Sequence, residues 1–191
     1  MKNILINHIK DHIQLTSDLM EIQVDQIIKF SSIISSAIEE GNKVYLFGNG
    51  GSAADAQHIA AEFTGRFVKE RKGLAAIALT TDTSALTAIG NDYGFDCIFE
   101  RQVEALAIKG DVLIGISTSG NSLNVCKALK LGNEIGCITL SLTGNKGGAA
   151  LKLSHFNLNI NHSVTARIQE MHILIGHLIC TLIDEVNFVK N

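Results

Sequence analysis

Lys43-Val44-Tyr45-Leu46-Phe47 runs directly into Gly48-Asn49-Gly50-Gly51-Ser52, and a helix-forming stretch, Ala53 to Arg66, follows at once. A short apolar run that ends in glycines and restarts as a helix reads as a strand, a tight turn and a helix. The pattern returns along the chain. Ala75–Leu79, Val112–Ile116 and Cys137–Leu142 are further apolar runs, each ending near Gly, Ser, Thr or Asn. Ser84–Gln102 and Leu123–Leu131 have helical character between them, and a last helix is expected from about Thr165 to Val189. Apolar strands without polar alternation, separated by helices, predict a parallel sheet covered on both faces. The fold class is therefore α/β, with the three layers of a flavodoxin-like domain. Upstream, Ile4 to Glu40 reads as one helix or two, with Gly41 as the stop. It carries no recognisable chemistry and is read as a packing or oligomerisation element. With no repeat and no linker, the expectation is a single domain over 1–191: N-terminal helices over 1–40 and the α/β core over 41–191.

The chain has 191 residues, of which 46% are apolar and 18% charged, a globular balance that excludes a disordered polymer. A net charge of -3 offers no basic surface for nucleic acid or an anionic membrane, so an anionic ligand would need a local site. Cys97, Cys126, Cys137 and Cys180 form no CxxC pair and are expected to be reduced, mostly buried thiols. The residues Met1 to Asp11 lack the pattern of a secretion signal, and no apolar run approaches the roughly 20 residues that cross a bilayer. A cytoplasmic protein is expected.

In parallel sheets of this kind ligands bind beyond the carboxyl ends of the strands, near the point where the strand order reverses. Two loops there have the chemistry for an anion. Gly48 to Ser52 offers glycine backbone at a helix start, and Ser117-Thr118-Ser119-Gly120-Asn121-Ser122 offers four hydroxyls at another. Each taken singly is equally an ordinary capped turn. Two at equivalent strand ends favour phosphate. The glycine spacing is not that of a dinucleotide site. Gly144-Asn145-Lys146-Gly147-Gly148 lacks the end of a P-loop and reads as a flexible loop.

His58 and Glu62 lie four apart on the first site helix, roughly 40° apart around its axis. Such a pair shares a metal ion, serves as an acid and base, or is simply a hydrogen-bonded surface pair. The last helix carries Gln169, Glu170, His172 and His177 among Met171, Ile173, Leu174 and Leu178. On an ideal helix Glu170 is nearly aligned with His177, whereas Gln169 is offset by roughly 80°. Asn91-Asp92-Tyr93-Gly94 reads as a turn, and Lys69-Glu70-Arg71-Lys72 as a solvated loop.

The segments Gly48 to His58, Ala61 to Arg66, Gly90 to Gly94, Ile116 to Ser122 and Arg167 to His172 together resemble the phosphoheptose isomerases of the SIS (sugar isomerase) fold. The likeness covers about 41–185 in unbroken order. It implies a homotetramer that converts sedoheptulose 7-phosphate into D-glycero-D-manno-heptose 7-phosphate, the first step toward nucleotide-activated heptose for lipopolysaccharide or other surface glycans. It implies one zinc per subunit on His58, Glu62, Gln169 and His177, so the resemblance prefers Gln169 to Glu170. Glutamine is a weak zinc ligand. It further implies that Ser117, Thr118, Ser119 and Ser122 hold the phosphate, while Asn49, Gly50, Gly51, Ser52, Asn91, Asp92, Glu62 and Gln169 contact the sugar. Some members place Asp before the Arg-Ile-Gln run, where this chain has Ala166.

Moving a proton between neighbouring carbons through an enediol needs a base, an acid for the oxygens and stabilisation of the enediolate. Glu62 is expected as the base and His177 as the acid. Two other readings are open from the sequence. One is a non-catalytic SIS protein that binds the replication initiator, whose members typically lack the glutamate after the histidine. The other is an isomerase of a different sugar phosphate.

Overall fold

A computed structural model of the protein describes residues 1–188. The expected helix end at Val189, and the last residues of the expected domain, lie outside them. The elements in order are α1 (Lys2–Ile22), α2 (Val24–Glu39), β1 (Val44–Gly48), α3 (Gly51–Thr64), β2 (Ala76–Ala78), α4 (Thr83–Tyr93), a 3-10 turn (Phe95–Cys97), α5 (Glu100–Leu106), β3 (Val112–Ser117), α6 (Leu123–Ile135), β4 (Ile138–Gly144), α7 (Ala150–Leu153), β5 (Phe156–Ile160) and α8 (Thr165–Phe188). The strands form one parallel sheet in the order β2-β1-β3-β4-β5. This is the doubly wound, flavodoxin-like order, and its switch point lies between β1 and β3. The expected α/β class and parallel sheet are what the chain adopts.

Alternation along the strands feeds two cores. Val44 and Leu46 of β1, with Ile114 and Ile116 of β3, pack with α2, α3 and α8. Tyr45 and Phe47, with Leu113, turn to the opposite face, against α5 and α6. Both faces of β1 are thus buried, which is why its sequence is apolar without interruption. α1 and α2 both lie on the first face, where Leu15, Leu19, Ile27, Phe30 and Ile34 join the core. All four cysteines are free; three are buried and Cys97 is half-buried.

Three readings need correction. β5 was not expected, because Phe156-Asn157-Leu158-Asn159-Ile160 alternates polar with apolar. Leu158 and Ile160 enter the core, while Asn157 donates to the Ser141 hydroxyl at 2.7 Å and Asn159 accepts from Thr143 at 3.0 Å. An edge strand with one polar face has the period of two, not the solid apolar run of the central strands. The expected helix Ser84–Gln102 is broken by Gly94, whose φ of 90° is left-handed, into α4, the 3-10 turn and α5. The Gly144–Gly148 segment is not loose. Asn145 donates from its backbone to His162 O at 3.1 Å, and Ala150 N–H donates to Gly120 O at 2.9 Å.

Candidate active site

β1 and β3 deliver their two loops side by side at the switch point. Gly50 precedes α3 with φ 57°, a conformation open to glycine, so the chain enters α3 at Gly51, earlier than the sequence pattern suggests. Ser52 is buried, and Asn49 is locked by a reciprocal amide pair. Its Nδ2 donates to Asn124 Oδ1, and Asn124 Nδ2 donates back to Asn49 Oδ1, both at 2.9 Å. Asn124, 2% exposed on α6, escaped the sequence reading because it lies two residues beyond the hydroxyl loop. Its only sequence signal is a polar residue on a core-facing helix position.

The second loop gathers hydroxyls at the start of α6. Ser117 Oγ lies 3.0 Å from Ser122 Oγ and 3.5 Å from Ser119 Oγ. Ser122 occupies the N-cap of α6 but makes no capping bond with its side chain. Converging hydroxyls and a helix N-terminus make a cradle for an anion without a lysine. The Gly144–Gly148 segment backs this cradle. Asn145 Nδ2 donates to Thr118 O at 3.3 Å, and Ala149 N–H donates to Asn121 Oδ1 at 3.0 Å. Gly120, at φ 66°, packs so close to Gly147 O that no side chain fits.

The third group lies along α3 and α8, which run side by side. Gly176 packs against Ile59, and there His58, Glu62 and His177 meet. His58 Nε2 lies 3.1 Å from Glu62 Oε1 and 3.4 Å from His177 Nε2. One ligand atom from each falls within 4.8 Å of the others. Two imidazoles and a carboxylate are a zinc donor set of the open, three-ligand kind. Two nitrogens each about 2.0–2.1 Å from one tetrahedral ion stand about 3.3 Å apart, so the observed 3.4 Å spacing fits a metal. The Phe67 ring stacks on His177 with centroids 5.6 Å apart and planes 23° from parallel.

The remaining expected residues fall elsewhere. Gln169 lies against Gly51, where an added Cβ would run into its amide, two turns before His58 along α3. Glu170 is occupied at the other side of α8. It accepts from His12 Nδ1 at 2.8 Å and pairs with Arg167. Burial would raise the Glu170 carboxyl, but its bonds to His12 and Arg167 prevail and hold it below the ordinary range. Asn91 and Asp92 are exposed at the end of α4 and bond to each other at 2.8 Å. Ala166 is exposed in the first turn of α8. Asp55, one turn before His58, has an unpartnered Oδ2, and burial pushes its carboxyl up to about 6 against the pull of His58.

The solvated reading of Lys69–Lys72 fails at Arg71. Its side chain is 5% exposed and its Nε donates to Asp184 Oδ1 at 2.7 Å. The partner lies 113 positions away, so no local pattern reveals it.

The SIS domain model matches residues 7–144. The chain belongs to the SIS-domain family. Within that family it is 56% identical to the phosphoheptose isomerase of Aliarcobacter butzleri over 184 residues, covering 96% of this chain and 97% of the relative. The solved phosphoheptose isomerase of Neisseria gonorrhoeae superposes with a TM-score of 0.91 at 46% identity, covering 96% of this SIS chain and 98% of that one. The one from Francisella tularensis gives a TM-score of 0.92 at 35% identity, covering 96% and 97%.

Proposed function

We infer that this SIS protein is a phosphoheptose isomerase, converting sedoheptulose 7-phosphate into D-glycero-D-manno-heptose 7-phosphate through an enediol. The observation that carries the reading is the meeting of His58, Glu62 and His177 where α3 and α8 pack together, in a chain more than half identical to an enzyme of that name. In this reading Ser117, Thr118, Ser119 and Ser122 bind the phosphate and set the register of the sugar. Asn49 to Ser52, Asn91, Asp92 and Gln169 line the sugar. Glu62 takes the proton from one carbon and returns it to its neighbour, and His177 protonates oxygen.

His58, Glu62 and His177, with Gln169, would hold zinc, whose chemistry there is to polarise the carbonyl and hydroxyl oxygens. Within one chain Gln169 sits with the sugar loop, two turns from the other three. That separation supports a site shared between subunits of a homotetramer. The apolar residues exposed on α1 and α2, among them Ile9, Ile13, Met20, Val24 and Ile28, supply surface for such an assembly. We take residues 1–191 as one SIS domain, with 1–40 as its helical extension, acting in the cytoplasm on the way to lipopolysaccharide heptose. No helix among the described residues is long and apolar enough to cross a membrane. Glu62 in contact with His58 favours the enzyme over a regulatory SIS protein.

The test is turnover of sedoheptulose 7-phosphate by the purified chain, with and without chelator and added zinc. Conversion to the aldoheptose that falls on chelation supports substrate and metal together. A folded protein that converts none under any metal overturns the reading.

A further inference from the structure

Arg71 and Asp184 are a buried ion pair next to the acid–base cluster, and several of their remaining bonds reach toward it, while Arg71 Nη1 also donates to Gly65 O at 3.4 Å and Lys72 O at 3.3 Å. Arg71 Nη2 donates to the carbonyl of Glu62 at 2.8 Å and Nη1 to the carbonyl of Phe63 at 2.9 Å. These carbonyls lie in the last turn of α3, where no further turn of helix satisfies them. The guanidinium therefore caps the helix end that carries Glu62. Asp184 stands on α8, beyond His177, and its side chain is 3% exposed. While Oδ1 takes Arg71, Oδ2 accepts the backbone N–H groups of Val68 and Lys69, each at 3.0 Å. Those two bonds fix the chain just after Phe67, whose ring lies on His177. Burial would raise the Asp184 carboxyl, but the Lys69 N–H, Arg71 and the Val68 N–H outweigh it and keep it ionised.

We propose that Arg71 and Asp184 are a positioning pair for the reaction, tying the end of α3 to α8 so that Glu62 and His177 keep their spacing and Phe67 covers the imidazole. Neither touches the reacting atoms. A buried pair used only for stability is replaceable by apolar side chains of similar volume. A pair used for placement is not, because directed bonds to six backbone groups go with it. The meaning of the placement rests on the isomerase reading, but the geometry does not.

The test uses the full chain in three forms: the double variant Arg71→Met with Asp184→Leu, then Phe67→Leu, then Phe67→Tyr. Turnover of sedoheptulose 7-phosphate and the ring-proton resonance of His177 are read for each, with helix content by circular dichroism. The double variant and Phe67→Leu are expected to lose about tenfold or more in kcat, with KM within about twofold, because the phosphate loop is untouched. Both are expected to shift the His177 resonance, which sits under the Phe67 ring, and to leave His155 in place. Phe67→Tyr is expected to keep the parent kcat and resonance. A folded double variant with parent kcat and a parent His177 resonance overturns the proposal, as does a loss confined to KM. If the double variant does not fold, equal turnover by Phe67→Leu and Phe67→Tyr overturns it, and rescue by Tyr alone supports it. A parent chain with no turnover refutes the isomerase reading instead, and the His177 resonance still decides the positioning claim.

Discussion

The Nε2 atoms of His58 and His177 stand 3.4 Å apart, although 119 positions separate them in the chain. That distance is long for one imidazole donating to the other and short for two charged rings. Glu62 at 3.1 Å from His58 completes a set in which three groups share one small space.

Glu62→Gln keeps the size of the side chain and removes its ability to take a proton. Turnover is expected to fall by about a hundredfold to ten-thousandfold, the usual worth of a positioned base. The melting temperature should stay within a few degrees, since the side chain is partly exposed. Residual turnover within tenfold of the parent would remove Glu62 as the base.

His58→Ala takes one nitrogen from the donor set and leaves the core untouched, because its side chain is 48% exposed. Elemental analysis is expected to find about one zinc per parent chain and less than a tenth of that in the variant, as the set without His58 keeps only one imidazole and holds zinc poorly. Equal zinc in both would place the metal elsewhere.

Gly120→Ala puts a methyl into Gly147 O and onto a left-handed backbone. The hydroxyl loop must move to accept it. The expected result is a KM for the phosphosugar raised about tenfold or more, with a stability loss of about 1–3 kcal/mol by chemical denaturation. A KM at the parent value would show that the loop does not hold the phosphate.

His172 gives a dependence on pH that owes nothing to catalysis. It is 1% exposed, donates from Nε2 to Thr143 O at 3.0 Å, and leaves Nδ1 without a partner. Burial pushes its imidazole from the ordinary 6.5 down to about 4. Between those values the unfolded chain binds the proton and the folded chain does not. The His172 contribution to stability therefore falls as pH drops from about 6.5 to about 4, by at most about 1.4 kcal/mol per pH unit. The Asp55 carboxyl, held up at about 6, contributes the opposite slope over part of this window. In urea unfolding the chelated parent is therefore expected to lose more stability, or gain less, from about pH 6.5 to about pH 4 than chelated His172→Gln. Parallel slopes for the two proteins would refute the assignment.

The legible part of this molecule was local. Runs such as Tyr45 to Phe47 and Leu113 to Ile116 are apolar without alternation because both of their faces are covered, and that property belongs to a few consecutive residues. The glycines after β1 and the hydroxyls after β3 are likewise contiguous, so both loops were found from sequence, as was the His58–Glu62 pair one turn apart. β5 escapes the sequence pattern because one of its faces is polar and continues a polar face of β4, a pairing visible only once Ser141 and Thr143 lie beside Asn157 and Asn159.

The amino-acid order by itself determined the parallel α/β class, the position of the glycine and hydroxyl loops at strand ends and the pairing of His58 with Glu62 on one helix. Only the tertiary structure decided which of those side chains meet. It sent Glu170 to His12, set Gln169 beside Gly51, and joined Arg71 to Asp184. The physical reason is one of range. Strand, turn and cap preferences act over a few residues, whereas contacts between α3 and α8 depend on how two helices more than a hundred positions apart settle against the same face of the sheet.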